Sequence, residues 1–210
     1  MVLIMVSDAR LSTYPGCFVY FGQMSSKCFF LDRDGTLNVD YDFVHKPQEW
    51  TWCDGAMDAL VLLKQKGFKL AVITNQSGIA RGRFSMDQVN RLHGWVNDQL
   101  QNDLIEIDGF YVAPWHPDYH DGKDPALLDE RKPGTVLFER AATELGISFD
   151  GSCMAGDKIS DLLPAMHLGI KPYLIRSRFY TEEIGNWCRQ HHILIFDRLL
   201  DAVEYELSAD

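Results

Sequence analysis

Cys28-Phe29-Phe30-Leu31 runs straight into Asp32-Arg33-Asp34-Gly35-Thr36. Four apolar residues followed by two acids and a glycine read as a buried β-strand that delivers carboxylates to its C-terminal end. Gly35 permits a turn whose dihedrals other residues resist. A carboxylate at a strand end can ligate a divalent cation or attack phosphorus. A second one, two residues later, can pass a proton. The same residue types also build an Asx turn, so this stretch alone leaves both readings open.

Working outward, three more segments carry complementary chemistry. Val72-Ile73 ends a second apolar run at Thr74-Asn75-Gln76-Ser77-Gly78. Arg131-Lys132-Pro133-Gly134 comes just before a helix pattern, and Cys153-Met154-Ala155 leads into Gly156-Asp157-Lys158-Ile159-Ser160-Asp161. A hydroxyl, a cation and a second acid pair thus fall at strand ends or helix starts. In an open parallel sheet such positions converge on one crevice. Four turns with this chemistry together favour a site over a set of surface turns.

Composition sets the outer bounds. At 210 residues a single domain with a real core is expected. A hydrophobic fraction of 46% and a charged fraction of 24% are those of a soluble globular protein. The formal net charge of −10 weighs against binding to phosphate polymers, which relies on a surface excess of Lys and Arg. A small phosphoester still binds where a few cations line one pocket. Cys17, Cys28, Cys53, Cys153 and Cys188 are odd in number and form no CxxC pair, which fits a reducing cytoplasm. Val2-Leu3-Ile4-Met5-Val6 is too short to span a membrane. No basic residue precedes it and Asp8 follows, so it makes a poor signal peptide. Residues 1–26 are expected to be an N-terminal extension lying upstream of a physiological start at Met24. An extra edge strand or packed arm is the other reading of that segment. Residues 27–210 are expected to form the one domain.

Strand and helix patterns alternate, which predicts an α/β fold with a parallel sheet flanked by helices. Strands are expected at 28–31, 68–73, 108–112, 152–155, 170–175 and 193–196. Asp54 reads as the N-cap of a helix that ends at Gly67, with Met57, Leu60, Val61 and Lys64 giving its spacing. Ser85 and Gln88 make a capping box ahead of Met86, Val89, Leu92, Val96 and Leu100. Further helices are expected after Pro133 to near Gly146, up to Gly169, at 180–189 and at 198–207. The gaps 38–54 and 113–131 are long enough to expect a functional use. They leave no room for a large cap domain.

With these residues in view, the chain resembles the haloacid dehalogenase superfamily of phosphohydrolases. Phe30 to Asn38, Thr74 to Gly82, Arg131 to Gly134 and Gly156 to Lys158 carry the resemblance, which runs from about Cys28 to near the C-terminus. Within it the chain looks like the branch that holds the heptose bisphosphate and histidinol-phosphate phosphatases. The resemblance implies a three-layer Rossmann-like fold and a Mg²⁺-dependent phosphomonoester hydrolase. Asp32 would be the nucleophile that forms an aspartyl-phosphate, Asp34 the proton donor and acceptor, Thr74 the phosphate-binding hydroxyl and Lys132 the bridging cation. Asp32, Asp157 and the backbone of Asp34 would hold the metal, with Asp161 behind them supporting Lys132, Lys158 or a metal-bound water. Crowding by Asp32 is expected to raise the pKa of Asp34, which suits an acid.

For the substrate, the resemblance implies contacts from Asp40, Tyr41, Asp42, Phe43, Asn75, Gln76, Ser77 and Lys158, with Arg131 on a distal phosphate. The implied reaction removes the 7-phosphate of a heptose bisphosphate on the way to nucleotide-activated heptose and lipopolysaccharide. Histidinol-phosphate or another small phosphosugar is the alternative substrate, and a polynucleotide 3′-phosphatase or a silent phosphosugar-binding protein is more remote. Nucleic acid and membrane are not expected as partners, and a monomer is expected. The branch's zinc-ligand positions fall on Ala113, Trp115, Leu128 and Glu130 here, so zinc is expected to be absent.

Overall fold

The structure, a computed structural model, describes residues 26–119 and 125–208. The expected N-terminal extension, apart from Ser26, therefore lies outside the described residues. Six strands form one parallel sheet: β1 (Ser26–Leu31), β2 (Lys69–Asn75), β3 (Gly109–Ala113), β4 (Ile147–Gly156), β5 (Lys171–Ile175) and β6 (Leu194–Phe196). The order is β3-β2-β1-β4-β5-β6. Among the described residues the chain thus starts in the middle of the sheet and grows outward to one edge, then to the other. That reversal at β1 and β4 opens a crevice beyond their C-terminal ends.

Residues of β1 alternate between two cores. Phe29 and Leu31 pack with α1 (Ala56–Gln65), α2 (Met86–Leu100) and α6 (Leu199–Ser208) on one face. Cys28 and Phe30 pack with α3 (Val136–Leu145) and α4 (Ile159–His167) on the other. A strand covered on both faces reads as an unbroken apolar run, and β1 does. The remaining helix, α5 (Glu182–Gln190), closes a smaller cluster through Cys188, which packs with Leu162 and Leu174. This is the three-layer architecture expected from the sequence. Among the described residues, the stretches 32–55 and 114–135 hold short 3-10 turns, and the first also holds isolated β-bridges from Asn38 to Asp34 and Trp52.

Local expectations met the structure unevenly. Ser85 and Gln88 form their reciprocal cap at the start of α2. Asp54 is not the N-cap of α1; Gly55 is, in a left-handed conformation at φ 70°. The fully buried residues of α1 are Ala56, Ala59, Leu60 and Leu63; Met57 packs against them only partly buried, and Val61 and Lys64 lie outside that cluster. Small alanines let this helix sit close to the sheet, and a pattern built on large residues overlooks them. Strand β4 begins five residues earlier than expected, at Ile147, because its first part pairs with Ser26 and Lys27 across a register shift.

One buried group ties stability to pH. His93 of α2 is buried and stacked on Phe110 at 4.2 Å, and its Nε2 has no hydrogen-bond partner. Burial, helped by the nearby Arg33 charge, pulls its pKa down to about 3. The folded value lies below the ordinary one near 6.5, so the stability His93 permits is complete above that pH and is lost as pH falls toward 3. Below about pH 6.5 the expected slope is about 1.4 kcal/mol per pH unit. Thermal melts at about pH 7 and about pH 5 should show His93→Leu losing less stability over that interval than the wild type. Equal losses would show that His93 does not govern the acid limb.

Candidate active site

The crevice is built where five chain segments end or begin. β1 delivers Asp32 and Asp34, β2 delivers Thr74 and Asn75, and β4 delivers Asp157. α4 brings Asp161 in its first turn, and the segment ahead of α3 brings Arg131 and Lys132. These residues line one cavity of about 220 Å³, apart from Asp157, which stands behind it.

Lys132 is its hub. The lysine is buried, and its Nζ donates to Asp32 Oδ1 at 2.6 Å and to the carbonyl of Ile73 at 2.6 Å. It pairs with Asp161 Oδ1 at 2.8 Å. Three partners saturate an ammonium's three N–H groups. Burial alone would pull the Lys132 pKa down, but Asp161 and Asp32 reverse that and hold it above the ordinary lysine value. The Asn75 amide fixes the lysine's backbone from both sides, accepting from Lys132 N at 3.0 Å and donating to Lys132 O at 3.1 Å. Asn75, expected to touch substrate, thus also anchors the cation.

Three carboxylates crowd together. Oxygen atoms of Asp32, Asp157 and Asp161 lie within 4.8 Å of one another, all buried. Burial pushes Asp32 up to about 7, against the pull of Lys132 and with the repulsion of Asp161 and Asp157. Burial, with Asp161, pushes Asp157 up to about 6. Asp157 Oδ1 accepts no hydrogen bond, while its Oδ2 accepts from Ser177 Oγ at 2.7 Å. Gly35 makes this packing possible. A Cβ there would stand 2.4 Å from Asp157 Oδ2, and the backbone φ is 92°. The motif's glycine is therefore required twice, for the turn and for the acid across the sheet.

Asp34 behaves differently from expectation. Burial pushes its pKa up, but the Arg33 charge and hydrogen bonds from Arg33, Asn38 and Gln76 outweigh it and hold the carboxyl below its usual range. Arg33, fully buried, places one guanidinium nitrogen 2.8 Å from each Asp34 oxygen and 2.6 Å from the Val44 carbonyl. Asn38 Nδ2 donates at 3.0 Å and Gln76 Nε2 at 2.8 Å. The expected neighbour, Asp32, does not set Asp34; the residue between them does. Gln76 Nε2 also donates to Thr74 Oγ1 at 2.8 Å, so the buried Gln76 spaces acid from hydroxyl.

At the mouth, Lys158 faces the crevice, its Nζ 3.4 Å from Asp157 Oδ1 and 3.9 Å from Asp40 Oδ2. Asp40, Asp42, Phe43, Ser77 and Arg131 line the wall. Tyr41 does not; it is exposed and lies off the lining. Arg131 has no carboxylate within ion-pair distance among the described residues, and burial with the nearby Arg81 charge lowers its pKa. Its guanidinium donates to the Trp115 carbonyl at 3.3 Å. The Trp115 indole in turn donates to Glu130 at 2.9 Å, so two of the four missing-ligand positions hold each other directly.

Sequence reasoning overlooked Arg81, Ser160 and the segment Ser177-Arg178-Phe179. That last segment follows the apolar strand β5, and the strand-end rule that finds Asp32, Thr74 and Asp157 would find it too.

Fold and site together define a phosphoric monoester hydrolase of the HAD type. A HAD-hydrolase-like family model matches residues 130–202, and a polynucleotide kinase 3 phosphatase model matches residues 27–159. The chain is 42% identical over 184 residues to the D-glycero-beta-D-manno-heptose-1,7-bisphosphate 7-phosphatase of Haemophilus ducreyi, covering 87% of this chain and 99% of that one. It is 38% identical to the Escherichia coli K12 protein of the same name, covering 77% of this chain and 86% of that one. A D,D-heptose 1,7-bisphosphate phosphatase from B. bronchiseptica, solved with magnesium and phosphate, superposes with a TM-score of 0.73 at 28% identity, covering 88% and 99% of the two chains. The chain belongs to the HAD phosphatases, in the family of these heptose-bisphosphate 7-phosphatases.

Proposed function

We propose that this chain removes the 7-phosphate of D-glycero-D-manno-heptose 1,7-bisphosphate, with Asp32 as nucleophile. The observation that carries the reading is the pairing of Lys132, buried against Asp32, with Arg131 beside it on the same cavity wall. One cation serves the reacting phosphate and the other stands ready for a second one, and a guanidinium fork suits that role. The names of the relatives support the same substrate.

An Asp32 carboxylate oxygen attacks phosphorus, the phosphorus–oxygen bond to the sugar breaks, and an aspartyl-phosphate remains. The leaving alkoxide takes a proton from Asp34. Asp34 rests as a carboxylate, held so by Arg33. A phosphate dianion arriving beside it raises its proton affinity, so it takes up a proton from solvent before it acts as the acid. In the second half Asp34 takes a proton from water, and the hydroxide displaces phosphate from Asp32. Thr74, whose Oγ1 accepts from Gln76, keeps its own O–H to donate to a phosphate oxygen.

The three clustered acids suit a hard divalent cation, and Asp157 Oδ1 is buried with no hydrogen-bond donor. Asp32 and Asp157, with the Asp34 carbonyl, would hold Mg²⁺, and Asp161 would stay with Lys132. The ion would supply charge neutralisation between two anions that otherwise repel.

A phosphate-release assay tests the substrate. In Mg²⁺ buffer, heptose 1,7-bisphosphate is expected to turn over at least about 100-fold more efficiently than histidinol phosphate or a 3′-phosphorylated oligonucleotide. Chelation should abolish the activity, and added Mg²⁺ should restore it. Equal or better turnover of either competitor would replace the heptose reading with that one.

A further inference from the structure

The cavity wall formed by residues 40–43 is an unusual piece of backbone. Asp42 and Phe43 are consecutive non-glycine residues with φ of 63° and 58°. Such conformations are disfavoured for ordinary side chains and persist only where the surroundings impose them. Locally, Asp40 Oδ1 accepts from Asp42 N at 2.9 Å, which explains the turn but not what secures it.

Phe43 is held on its own side by packing on Phe84, Val89 and Val112, by Arg83 4.2 Å over its ring and by His45 Nδ1 2.7 Å from its carbonyl. What secures the acids of the turn comes from across the crevice. Arg178, two residues after the Arg176 that follows β5, reaches over to pair with Asp42 Oδ1 at 2.5 Å and Asp40 Oδ1 at 3.5 Å. Its guanidinium also lies 4.6 Å over the Phe179 ring, and the Lys158 ammonium stands 4.8 Å from the same ring. Ser177, the preceding residue, holds Asp157. One short segment therefore touches the acid floor, the mouth cation and the opposite wall.

We propose that Arg178 is a positioning residue for substrate selection: it clasps the 40–43 wall in its left-handed turn and so fixes the shape of the half of the cavity that receives the sugar. The inference rests on the phosphosugar reading above. The clasp is partly exposed, with the side chains of Arg178 and Asp42 at 45% and 67% of full accessibility. Exposed ion pairs are weak, which lets the wall yield to admit substrate and re-form around it. Asp40, by contrast, is largely shielded at 12% and is shared between Arg178 and Lys158. Loss of Arg178 frees Asp42 and leaves Asp40 to Lys158 alone.

The test compares Arg178→Gln, Arg178→Lys and, as a control, Arg176→Gln, whose guanidinium pairs with Asp197 instead. For Arg178→Gln, KM for the heptose bisphosphate should rise about fivefold, and the loss in kcat/KM should exceed the loss on p-nitrophenyl phosphate by a similar factor. Arg178→Lys should recover part of it and Arg176→Gln should match the wild type. Equal losses on both substrates, or none, overturn the proposal. Amide exchange over residues 39–44 supplies a readout without substrate. It should quicken about fivefold in Arg178→Gln, and unchanged exchange overturns the clasp as well. If the wild type fails on the heptose bisphosphate but hydrolyses p-nitrophenyl phosphate, the substrate reading falls while amide exchange still decides the clasp.

Discussion

Asp32→Asn lowers phosphate release by about four orders of magnitude or more, and the protein that results is no less stable than the wild type. The substituted amide keeps an oxygen at the position that accepts from Lys132 at 2.6 Å, so the hub's hydrogen bond survives. What disappears is the charge proposed to attack phosphorus and one of three carboxylates whose oxygens lie within 4.8 Å. Removing a like charge from so tight a group relieves repulsion. Without added metal, Tm is therefore expected to rise by about 2–4 °C. Steady-state kinetics and a thermal melt check the two halves. Substantial residual turnover would remove Asp32 from the role of nucleophile, and a cooperative loss of fold would show that Asp32 holds structure rather than chemistry.

Lys132→Met should act in the opposite sense on stability. Methionine approximates the apolar stem of lysine but leaves Asp32, Asp161 and the Ile73 carbonyl without their shared donor. Breaking a buried pair by deleting one partner costs on the order of 4 kcal/mol, or about 10 °C in Tm for a chain of this size. Activity should fall about 10³-fold, because Lys132 is the cation bonded directly to Asp32, whereas Lys158 acts on that carboxylate only at longer range. The double variant Asp32→Asn with Lys132→Met should recover some of the lost Tm, since one orphaned charge is gone; a double-mutant cycle measures that coupling. Strict additivity would mean that Lys132 acts mainly through Asp161.

The sequence disclosed the machinery that sits at strand ends, and the reason is geometric. An apolar run that stops at a polar cluster marks the place where a buried parallel strand meets solvent. Asp32, Thr74 and Asp157 all follow from that rule, and Lys132 from its place ahead of a helix. Contacts that join distant segments are not legible in the same way. Asn75 gripping the backbone of Lys132 spans 57 residues, and Arg178 reaching Asp42 spans 136. No local pattern encodes either. The Asp34 expectation failed for a related reason. A strand continued through residue 34 would send the Arg33 side chain away from both acids. The chain instead turns at once after β1 and brings Arg33 round onto Asp34. The cap at Gly55 escapes a sequence reading because left-handed glycine leaves no side-chain signature, whereas Asp54 offers a familiar one.

Strand order also has a consequence for how the chain is born. Of the described strands, β1 (Ser26–Leu31) in the middle of the sheet is synthesised first, and its neighbour β4 follows only at Ile147, after β2 and β3. Until then the apolar edge Cys28–Leu31 waits beside β2 with its other row of backbone groups unpaired. Such an edge invites pairing with other chains. A nascent polypeptide halted before Ile147 would thus expose the strand that leads into Asp32, which makes ribosome-bound intermediates of this protein natural clients for chaperones.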